Sequence, residues 1–255
     1  WRNIGDAYAV LVSEVMLQQT QVKRVLGRWE RFLSKFPTPD ALAAAATSDV
    51  VAEWQGLGYN RRALALKRAC EVCSAEFAGK FPRTAEELEQ LPGVGPATAA
   101  GVVAFAYDEP ALYLETNVRT VFLHDVFPDR EGVKDKEIAP LVALSCPEED
   151  VRGWYYALLD YGAHLKSTVS NPSRRSAHHT RQSAFEGSRR QKRAEVVRIV
   201  LASERTIALE EVHRLLDRFE CERGRDGVDQ GLFDSIVADL AREGFFTVEG
   251  DHVSA

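Results

Sequence analysis

The 255-residue sequence has few cysteines and no long apolar run. Its four cysteines are too widely and unevenly spaced for a disulfide framework or for paired metal-binding motifs; they are Cys70, Cys73, Cys146 and Cys221. No stretch approaches the roughly 18 apolar residues of a membrane-spanning helix, and the first residues lack an export pattern. We therefore expect a globular, cytoplasmic protein without membrane contact.

Charge is distributed unevenly along the chain, whose net charge is −6. A basic ribbon, Lys166–Arg193, contains eight Lys/Arg and one acid, whereas residues 195–255 contain seven Arg and fourteen Asp/Glu. The ribbon lacks apolar periodicity, so we expect an extended loop or arm. Its charge suits a polyanion, and the acidic segment does not.

The apolar pattern predicts helices joined by short turns, with no alternating strand before residue 245. Helical spacing extends over residues 6–35, and further helices are expected at 61–77 and 145–165. A helix that ends at Leu91 is joined to a second one by a hairpin containing Gly93 and Gly95. Such a hairpin lets the backbone approach a DNA phosphate closely, although a purely structural turn explains it equally well.

The last 60 or so residues have the pattern of a winged helix. Helices are expected at 191–203, 209–219 and 229–243, followed by two short strands around Gly250-Asp251. The third helix carries four acids and one Arg, so it would repel phosphate. We expect it to pack on the rest of the chain or to meet a protein partner.

Four motifs occur in an order and spacing that match one known family. They are Ser13–Val22, Gly56–Tyr59, Leu91–Gly95 and Leu114–Val118. On these motifs, residues 1 to about 165 resemble adenine DNA glycosylases of the helix-hairpin-helix superfamily. The resemblance implies an all-α, bilobal glycosylase fold over residues 1–190, followed by the winged-helix-like domain at 191–255. One lobe, a six-helix barrel, is expected at about 10–115, and the second is expected from the N-terminus plus about 116–190.

The resemblance assigns catalytic roles to Glu14, Glu115 and Asn117. Glu14, which taken alone is an ordinary helix carboxylate, would be the general acid that protonates the departing purine. A partly buried carboxylate with a raised pKa suits that role. Glu115 replaces the family's Asp, which stabilises the sugar cation, and its extra methylene puts that geometry in doubt. Asn117 would hydrogen-bond around the sugar.

The resemblance also implies a base pocket formed by Trp1, Arg2, Ala97 and Tyr156. Strand-cutting relatives carry a nucleophilic Lys where this chain has Ala97, so we expect water to attack and no lyase activity. Adenine-removing relatives carry a base-reading Glu where this chain has Tyr156. That difference weakens the assignment to adenine specifically.

DNA contacts are implied at a further set of residues, with double-stranded DNA as the partner of a monomer associated with the nucleoid. Gln18 and Tyr59 would help take the base out of the stack and fill the gap, although Tyr59 also suits an aromatic lid on a Gly-rich turn. Gln19, Thr20 and Leu57 would meet the opposite base. Phosphate contacts are expected from the hairpin and from the ribbon; these residues are Gly93, Gly95, Arg174, Arg175, Arg181, Arg189 and Arg190.

Relatives bind a [4Fe–4S] cluster through four cysteines that follow the stretch matching Gly162-Ala163. This chain has no cysteine between residues 163 and 190, so we expect no cluster and no other cofactor. His178-His179 lacks a third ligand type nearby and makes a poor metal site. The C-terminal segment is also too short for the domain with which relatives recognise 8-oxoguanine.

These features together predict a monofunctional DNA glycosylase of base excision repair, with mispaired adenine as the leading substrate. One alternative is a glycosylase for a mispaired or deaminated pyrimidine or a damaged purine, which Ala97 and Tyr156 favour. The other is a DNA-binding protein of the same fold without catalysis. Glu115 supports that alternative, whereas the joint presence of Glu14, Gln18, Tyr59 and Asn117 opposes it.

Overall fold

The computed structural model describes residues 2, 4–180, 183–203 and 206–255. Most of these residues are helical, and the few strands lie near the C-terminus. The helices are α1 (Ala7–Leu17), α2 (Val22–Val25), α3 (Arg28–Lys35), α4 (Pro39–Ala44), α5 (Thr47–Glu53), α6 (Arg61–Glu76), α7 (Ala85–Leu88), α8 (Pro96–Val102), α9 (Thr116–Asp125), α10 (Asp135–Ser145), α11 (Val151–Thr168), α12 (Arg189–Leu201), α13 (Leu209–Cys221) and α14 (Gln230–Glu243). The strands are β1 (Ile207–Ala208), β2 (Thr247–Glu249) and β3 (His252–Ser254). The predicted all-α fold with a winged-helix-like C-terminus is confirmed.

Helical spacing over residues 6–35 corresponds to three helices and not one. Asp6 caps α1 by accepting a 2.7 Å hydrogen bond from the Ala9 N–H. The chain leaves α1 through Gln19, which has a φ of +53°, and Gly27 with a φ of +77° separates α2 from α3. Left-handed residues interrupt the helical hydrogen bonds while the apolar spacing continues, so the pattern alone did not reveal the breaks.

The first of two compact units consists of Trp1–Gln18 and Val72–Arg181. Its core includes Leu11 and Met16 of α1, Leu123 of α9 and Tyr155 of α11, all fully or nearly fully buried. Within this unit α11 packs along α9, and α1 packs against α8. A π-helical turn, Val103–Tyr107, follows α8 directly.

The second unit consists of Gln19–Glu71 and Gln182–Ala255. One apolar core joins Val51 and Leu64 to buried side chains of the C-terminal segment; among them are Val196, Leu216, Phe233, Ile236 and Leu240. The packing units therefore differ in extent from the predicted division at residue 190. The reason is that Val51 and Leu64 pack into the apolar core that the C-terminal helices form.

The winged-helix sheet has three antiparallel strands in the order β1-β3-β2. Val253 of β3 pairs with Ile207 on one side and with Val248 on the other. Strand β1, at residues 207–208, corrects the expectation of no strand before residue 245, because a two-residue strand is too short to show alternation. Among the described residues, no helix combines the length and apolarity needed to cross a bilayer.

Candidate active site and DNA-contact loop

Glu14 lies on α1, in the first unit, as a half-buried carboxyl group. Its Oε2 accepts a 3.0 Å hydrogen bond from the hydroxyl of Tyr113. Burial raises the pKa of Glu14 to about 7, the charge of Glu115 adds to the rise, and the Tyr113 hydrogen bond opposes it. A large fraction of Glu14 is therefore protonated at neutral pH, as a general acid requires.

Tyr113 is fixed by a set of buried aromatic side chains. Its backbone N–H donates a 3.0 Å hydrogen bond to the Tyr155 hydroxyl, which itself donates to the carbonyl of Ala111. The ring of Phe105 packs edge-on against Tyr113 at a centroid distance of 5.0 Å. Burial and the nearby carboxylates raise the pKa of Tyr113 well above its usual value, so it remains a hydroxyl donor to Glu14.

Gly101 on α8 leaves the space that the Glu14 carboxyl group occupies. A Cβ at this position would lie 2.7 Å from Oε2 of Glu14 and 2.9 Å from Cε2 of Tyr113. A larger residue at this position would therefore displace the Glu14 carboxyl group or the Tyr113 ring, although the backbone of Gly101 is helical. No sequence motif pointed to Gly101 or to Tyr113, since neither lies in a motif that carries the resemblance.

Glu115 is the N-cap of α9. Its Oε1 accepts hydrogen bonds from the N–H groups of Asn117 and Val118. The longer side chain thus folds back onto the start of its own helix, which fixes one carboxylate oxygen. Burial raises the pKa of Glu115, while these backbone hydrogen bonds and the charge of Lys166 oppose the rise.

The side chain of Lys166, on α11, contacts Asn117 in the first turn of α9. Its Nζ donates a 2.6 Å hydrogen bond to Oδ1 of Asn117. Burial lowers the pKa of Lys166, and the charge of Glu115 opposes that effect. The close approach of α11 to α9 depends on Gly162, because a Cβ there would lie 2.2 Å from the Asn117 carbonyl oxygen. The sequence had indicated Lys166 only as the first residue of the basic ribbon.

The described part of the predicted base pocket brings Arg2 and Tyr156 together. Arg2 forms a two-pronged ion pair with Asp160 at 2.6 and 2.7 Å, and its Cζ lies 4.6 Å from the Tyr156 ring centroid. Tyr156 in turn stacks on Phe105 at 4.7 Å. Trp1 lies outside the described residues.

The helix-hairpin-helix element joins α7 to α8. Gly93 has a φ of +76°, which L side chains rarely adopt, and Gly95 is the N-cap of α8. Ala97, the second residue of α8, is exposed and offers no nucleophile. Gln18, at the end of α1, donates a 3.1 Å hydrogen bond to the Thr98 hydroxyl. Contact of the hairpin with phosphate stays a prediction.

The second unit contains a further group of predicted DNA-contact residues, in a loop at Gly56–Tyr59 and in the turn at Gln19 and Thr20. Tyr59 is 38% exposed and has a φ of +47°. Leu57 is only 3% exposed, so its side chain supports the loop.

Arg62, which no motif singled out, holds this loop together. Its Nη2 donates hydrogen bonds to the Gly58 carbonyl at 2.9 Å, to the Leu57 carbonyl at 3.2 Å and to the Thr20 hydroxyl at 3.1 Å. Burial lowers the pKa of Arg62 to about 10. Arg62 therefore ties the Gly56–Tyr59 loop to the turn after α1.

The expectation that the basic ribbon is an extended loop or arm is corrected in part, because both of its ends are helical while the described residues from 176 to 188 lie outside helices. Helix α11 continues to Thr168, a 3₁₀ turn follows at Pro172–Arg175, and α12 begins at Arg189. Helix capping and helix contacts order the segment although its sequence lacks apolar periodicity.

Several ribbon side chains have partners within the chain. Arg175 donates to the carbonyls of Leu123 and Pro128, and Arg189 pairs with Asp239 at 2.7 Å. Arg174 is exposed, and Arg181 lies outside the described residues. Phosphate binding by these residues stays a prediction.

Acidic residues of helix α14 form ion pairs with basic side chains of the second unit. Glu243 pairs with Arg193 of α12 at 2.6 Å and also with Arg61 of α6. Packing of α14 against residues outside the C-terminal segment thus agrees with one of the two roles expected for it.

The absence of an iron–sulfur cluster stays a prediction. Cys70 and Cys73 are buried in α6, Cys146 follows α10, and Cys221 ends α13. Within the described residues, no group of three or more His, Cys, Asp or Glu is arranged to hold a metal ion.

Comparisons with known proteins agree with this geometry. Residues 12–141 match the family model described as HhH-GPD superfamily base excision DNA repair protein. The adenine DNA glycosylase of Mycolicibacterium smegmatis is 36% identical over 165 residues, which cover 64% of this chain and 56% of that protein. That of Mycobacterium tuberculosis strain H37Rv is 37% identical over 167 residues, covering 64% and 55%. The chain therefore spans about half the length of these curated relatives.

Solved structures show the same fold. A thermostable thymine-DNA glycosylase superposes with a TM-score of 0.61 at 23% identity, covering 68% of this chain and 81% of that one. An endonuclease III–DNA covalent intermediate superposes with a TM-score of 0.56 at 24% identity, covering 62% and 75%.

Proposed function

The chain belongs to the HhH-GPD superfamily of base excision DNA repair proteins, and from this premise we propose that it is a DNA glycosylase. The proposed reaction is hydrolysis of the N-glycosidic bond of a base that has been flipped out of duplex DNA. The observation that carries the proposal is Glu14, a carboxyl group whose pKa burial raises to about 7. Such a group can give up a proton at neutral pH, which an exposed carboxylate cannot do effectively.

In the proposed reaction Glu14 transfers its proton to a ring nitrogen of the purine. The bond between that base and C1′ of the sugar then breaks, and its electron pair leaves with the base. The sugar cation that remains is stabilised by the negative charge of Glu115, whose position the α9 N-terminus fixes. Water adds to C1′ and passes a proton to Glu14, which restores the acid. The products are a free base and an abasic site.

Mispaired adenine is the proposed substrate. Support comes from the retained acid and from the adenine DNA glycosylases that are 36–37% identical to this chain over 165 and 167 residues. A purine leaves readily once its ring is protonated, which matches the chemistry of Glu14.

One observation favours a different base as a second candidate. Tyr156, where adenine-removing relatives carry Glu, is stacked on Phe105 and covered by the Arg2 guanidinium. A tyrosine in this stack presents an aromatic face and not a carboxylate. Removal of a damaged purine or of a mispaired or deaminated pyrimidine is therefore the alternative.

We further propose that the enzyme does not cut the strand and needs no cluster. Ala97 offers no amine for a Schiff base, so water remains the nucleophile. The reaction above uses only protein side chains and water.

Base release from a panel of duplexes tests the proposal. The panel contains adenine opposite guanine or 8-oxoguanine, uracil and thymine opposite guanine, hypoxanthine, and alkylated purines. We expect one duplex to give cleavage only after alkali, and we expect Glu14→Gln to abolish it. Strand cleavage without alkali would contradict the monofunctional reaction. Tight binding without base release on any duplex would contradict the proposed enzyme activity and support a non-catalytic DNA-binding protein.

A further inference from the structure

Arg175, in the 3₁₀ turn that follows α11, bonds to the C-terminal end of α9. Its Nη2 donates a 2.5 Å hydrogen bond to the carbonyl of Leu123, and its Nη1 donates to the carbonyl of Pro128 just beyond the helix. The last carbonyls of a helix lack partners within the helix and carry its partial negative charge, so a guanidinium group there is favourable. Arg175 therefore caps the C-terminal end of α9 from another part of the chain.

The backbone around Arg175 is fixed as well. Val133, in the loop between α9 and α10, forms a parallel bridge with Ser176. Its N–H donates a 3.0 Å hydrogen bond to the carbonyl of Arg175, and its carbonyl accepts a 2.9 Å hydrogen bond from the N–H of Ala177. Val133 and Ser176 are both buried, and hydrogen bonds away from water are the stronger ones. The Arg175 side chain thus extends to α9 from a backbone that is itself held in place.

The other end of α9 is contacted from the same stretch of chain. Lys166, in the last turn of α11, donates a 2.6 Å hydrogen bond from Nζ to Oδ1 of Asn117. Asn117 lies in the first turn of α9, two residues after the N-cap Glu115, whose carboxylate accepts from the Asn117 N–H. We call residues 166–177 the brace, because they bond to both ends of the helix that carries Glu115.

We propose that the brace positions Glu115 for the sugar cation, with Arg175 holding the far end of α9 so that the near end keeps its place. Helix α9 has ten residues, so Arg175 acts from about 15 Å away through a single stiff element. Because the Glu115 carboxylate is bonded to the first N–H groups of α9, a shift of the helix moves the carboxylate with it. A displacement of about 1 Å is enough to slow a reaction strongly. Arg175 is then a positioning residue and not the phosphate contact that the sequence predicts.

The inference rests on the proposed function, because it takes Glu115 to act on the sugar. One part of it is nevertheless independent of catalysis, namely that Arg175 holds α9. The two parts are therefore tested by separate measurements.

Amide hydrogen exchange, followed by mass spectrometry on the 255-residue chain, tests whether Arg175 holds α9. Arg175→Met removes the guanidinium donors and should make the amides of α9 exchange about tenfold faster, as expected for the loss of one or two hydrogen bonds, while α1 exchanges as in the parent. Arg130→Met is the matched control. Arg130 lies in the loop between α9 and α10, is exposed and pairs with Glu137 at 2.5 Å, so its loss should leave exchange in α9 unchanged.

Single-turnover base release tests the positioning of Glu115. At saturating protein, Arg175→Met should lower the rate about tenfold. Arg175→Lys, which can still donate to a carbonyl, should recover part of that rate, and Arg130→Met should retain it. Duplex affinity is measured by fluorescence anisotropy in the Glu14→Gln background, so that no base is released. Arg175→Met should leave both this affinity and its salt dependence unchanged.

Exchange of α9 at the parent rate in Arg175→Met would overturn the proposal. Weaker duplex binding with a salt slope reduced by about 0.9, together with unchanged exchange, would do so by identifying Arg175 as a phosphate contact. Faster exchange with base release at the parent rate would overturn the positioning of Glu115.

A second variant serves if Arg175→Met does not fold. Oδ1 of Asn171 accepts hydrogen bonds from the N–H of Ser173 at 3.1 Å and from its hydroxyl at 2.8 Å, and these bonds order the 3₁₀ turn that carries Arg175. Asn171→Ala should therefore also speed exchange in α9, and parent-like exchange would overturn the proposal. If no duplex of the panel releases a base, the proposed function fails, whereas the exchange measurement still decides whether the brace holds α9.

Discussion

Replacing Glu14 by Gln should stabilise the fold while it removes the proposed acid. Burial raises the pKa of Glu14 from 4.5 to about 7. The folded chain therefore holds this proton more tightly than the unfolded chain does. Stability from the protonated group is fully present below pH 4.5 and is lost as the pH rises through 7. The rise in the pKa of Glu14 from 4.5 to about 7 corresponds to about 3 kcal/mol in the free energy of unfolding, at about 1.4 kcal/mol per pKa unit.

Urea unfolding at pH 5 and pH 8 measures this difference directly. Gln has no charge to bury at either pH, so Glu14→Gln should be more stable than the parent by about 3 kcal/mol at pH 8 and by about 1 kcal/mol at pH 5. Circular dichroism follows the transition through the loss of helix, since the chain contains four tryptophans and their fluorescence does not report on one unit alone. Glu89→Gln, at an exposed site after α7, is the control and should show no such pH-dependent gain. A gain that is equal at the two pH values, or larger at pH 5, would refute the reasoning.

Three further substitutions test the surroundings of the acid. Tyr113→Phe removes the 3.0 Å hydrogen bond that favours ionised Glu14, so the alkaline limb of the pH–rate profile for base release should move up by about one pH unit. Gly101→Ala places a carbon 2.7 Å from the Glu14 carboxylate, and single-turnover base release should fall about tenfold while duplex binding, measured by fluorescence anisotropy, persists. Lys166→Met removes the donor to Asn117 and the positive charge that opposes the rise in the pKa of Glu115, so less Glu115 is ionised and base release at pH 7 should fall about tenfold with an unchanged circular dichroism spectrum.

Each of these variants has a matched control. Tyr107→Phe removes a hydroxyl that donates only to the carbonyls of Phe81 and Pro82 among the contacts described, and it should leave the pH profile in place. Gly5→Ala adds a carbon whose nearest neighbour is 3.8 Å away, so it should retain the parent rate. Lys166→Arg keeps the charge and should recover part of the rate. Parent-like behaviour of Tyr113→Phe, Gly101→Ala or Lys166→Met would contradict the role given to the side chain it changes.

Local patterns in the sequence predicted the helices that carry the motifs. The helix expected at 61–77 is α6, and the C-terminal pattern of three helices and a hairpin is the winged helix. Glu14 and Gln18 were expected on one helical face, and Glu14 lies on α1 with Gln18 as its C-cap. These features depend on helical periodicity and turn residues, which short stretches of sequence express directly.

The surroundings of the two carboxylates could not be predicted in the same way. Tyr113 meets Glu14 across 99 positions of the chain, and Lys166 meets Asn117 across 49. Such contacts arise from the packing of helices, and no local pattern records them. Gly101 is a further case, because a glycine in a helix is ordinarily unfavourable and its reason lies in the carboxyl group opposite.

The distribution of charge along the sequence showed where basic residues are concentrated, but it did not predict the conformation of that segment. The ribbon Lys166–Arg193 was expected to be an extended arm because it lacks apolar periodicity. Its arginines instead find partners in folded structure: Arg175 bonds to carbonyls, and Arg189 bonds to Asp239. Long basic side chains can satisfy their donors within a chain, so a basic run does not by itself identify an exposed surface.

The role of Glu14 as the acid is best measured by base release under single-turnover conditions, from adenine-containing mispairs and the other duplexes of the panel. We expect a free base and an alkali-sensitive abasic site from the parent chain, a rate that declines as the pH rises above about 7, and no product from Glu14→Gln. Base release that persists in Glu14→Gln, or a rate that increases as the pH rises above 7, would contradict Glu14 as the acid.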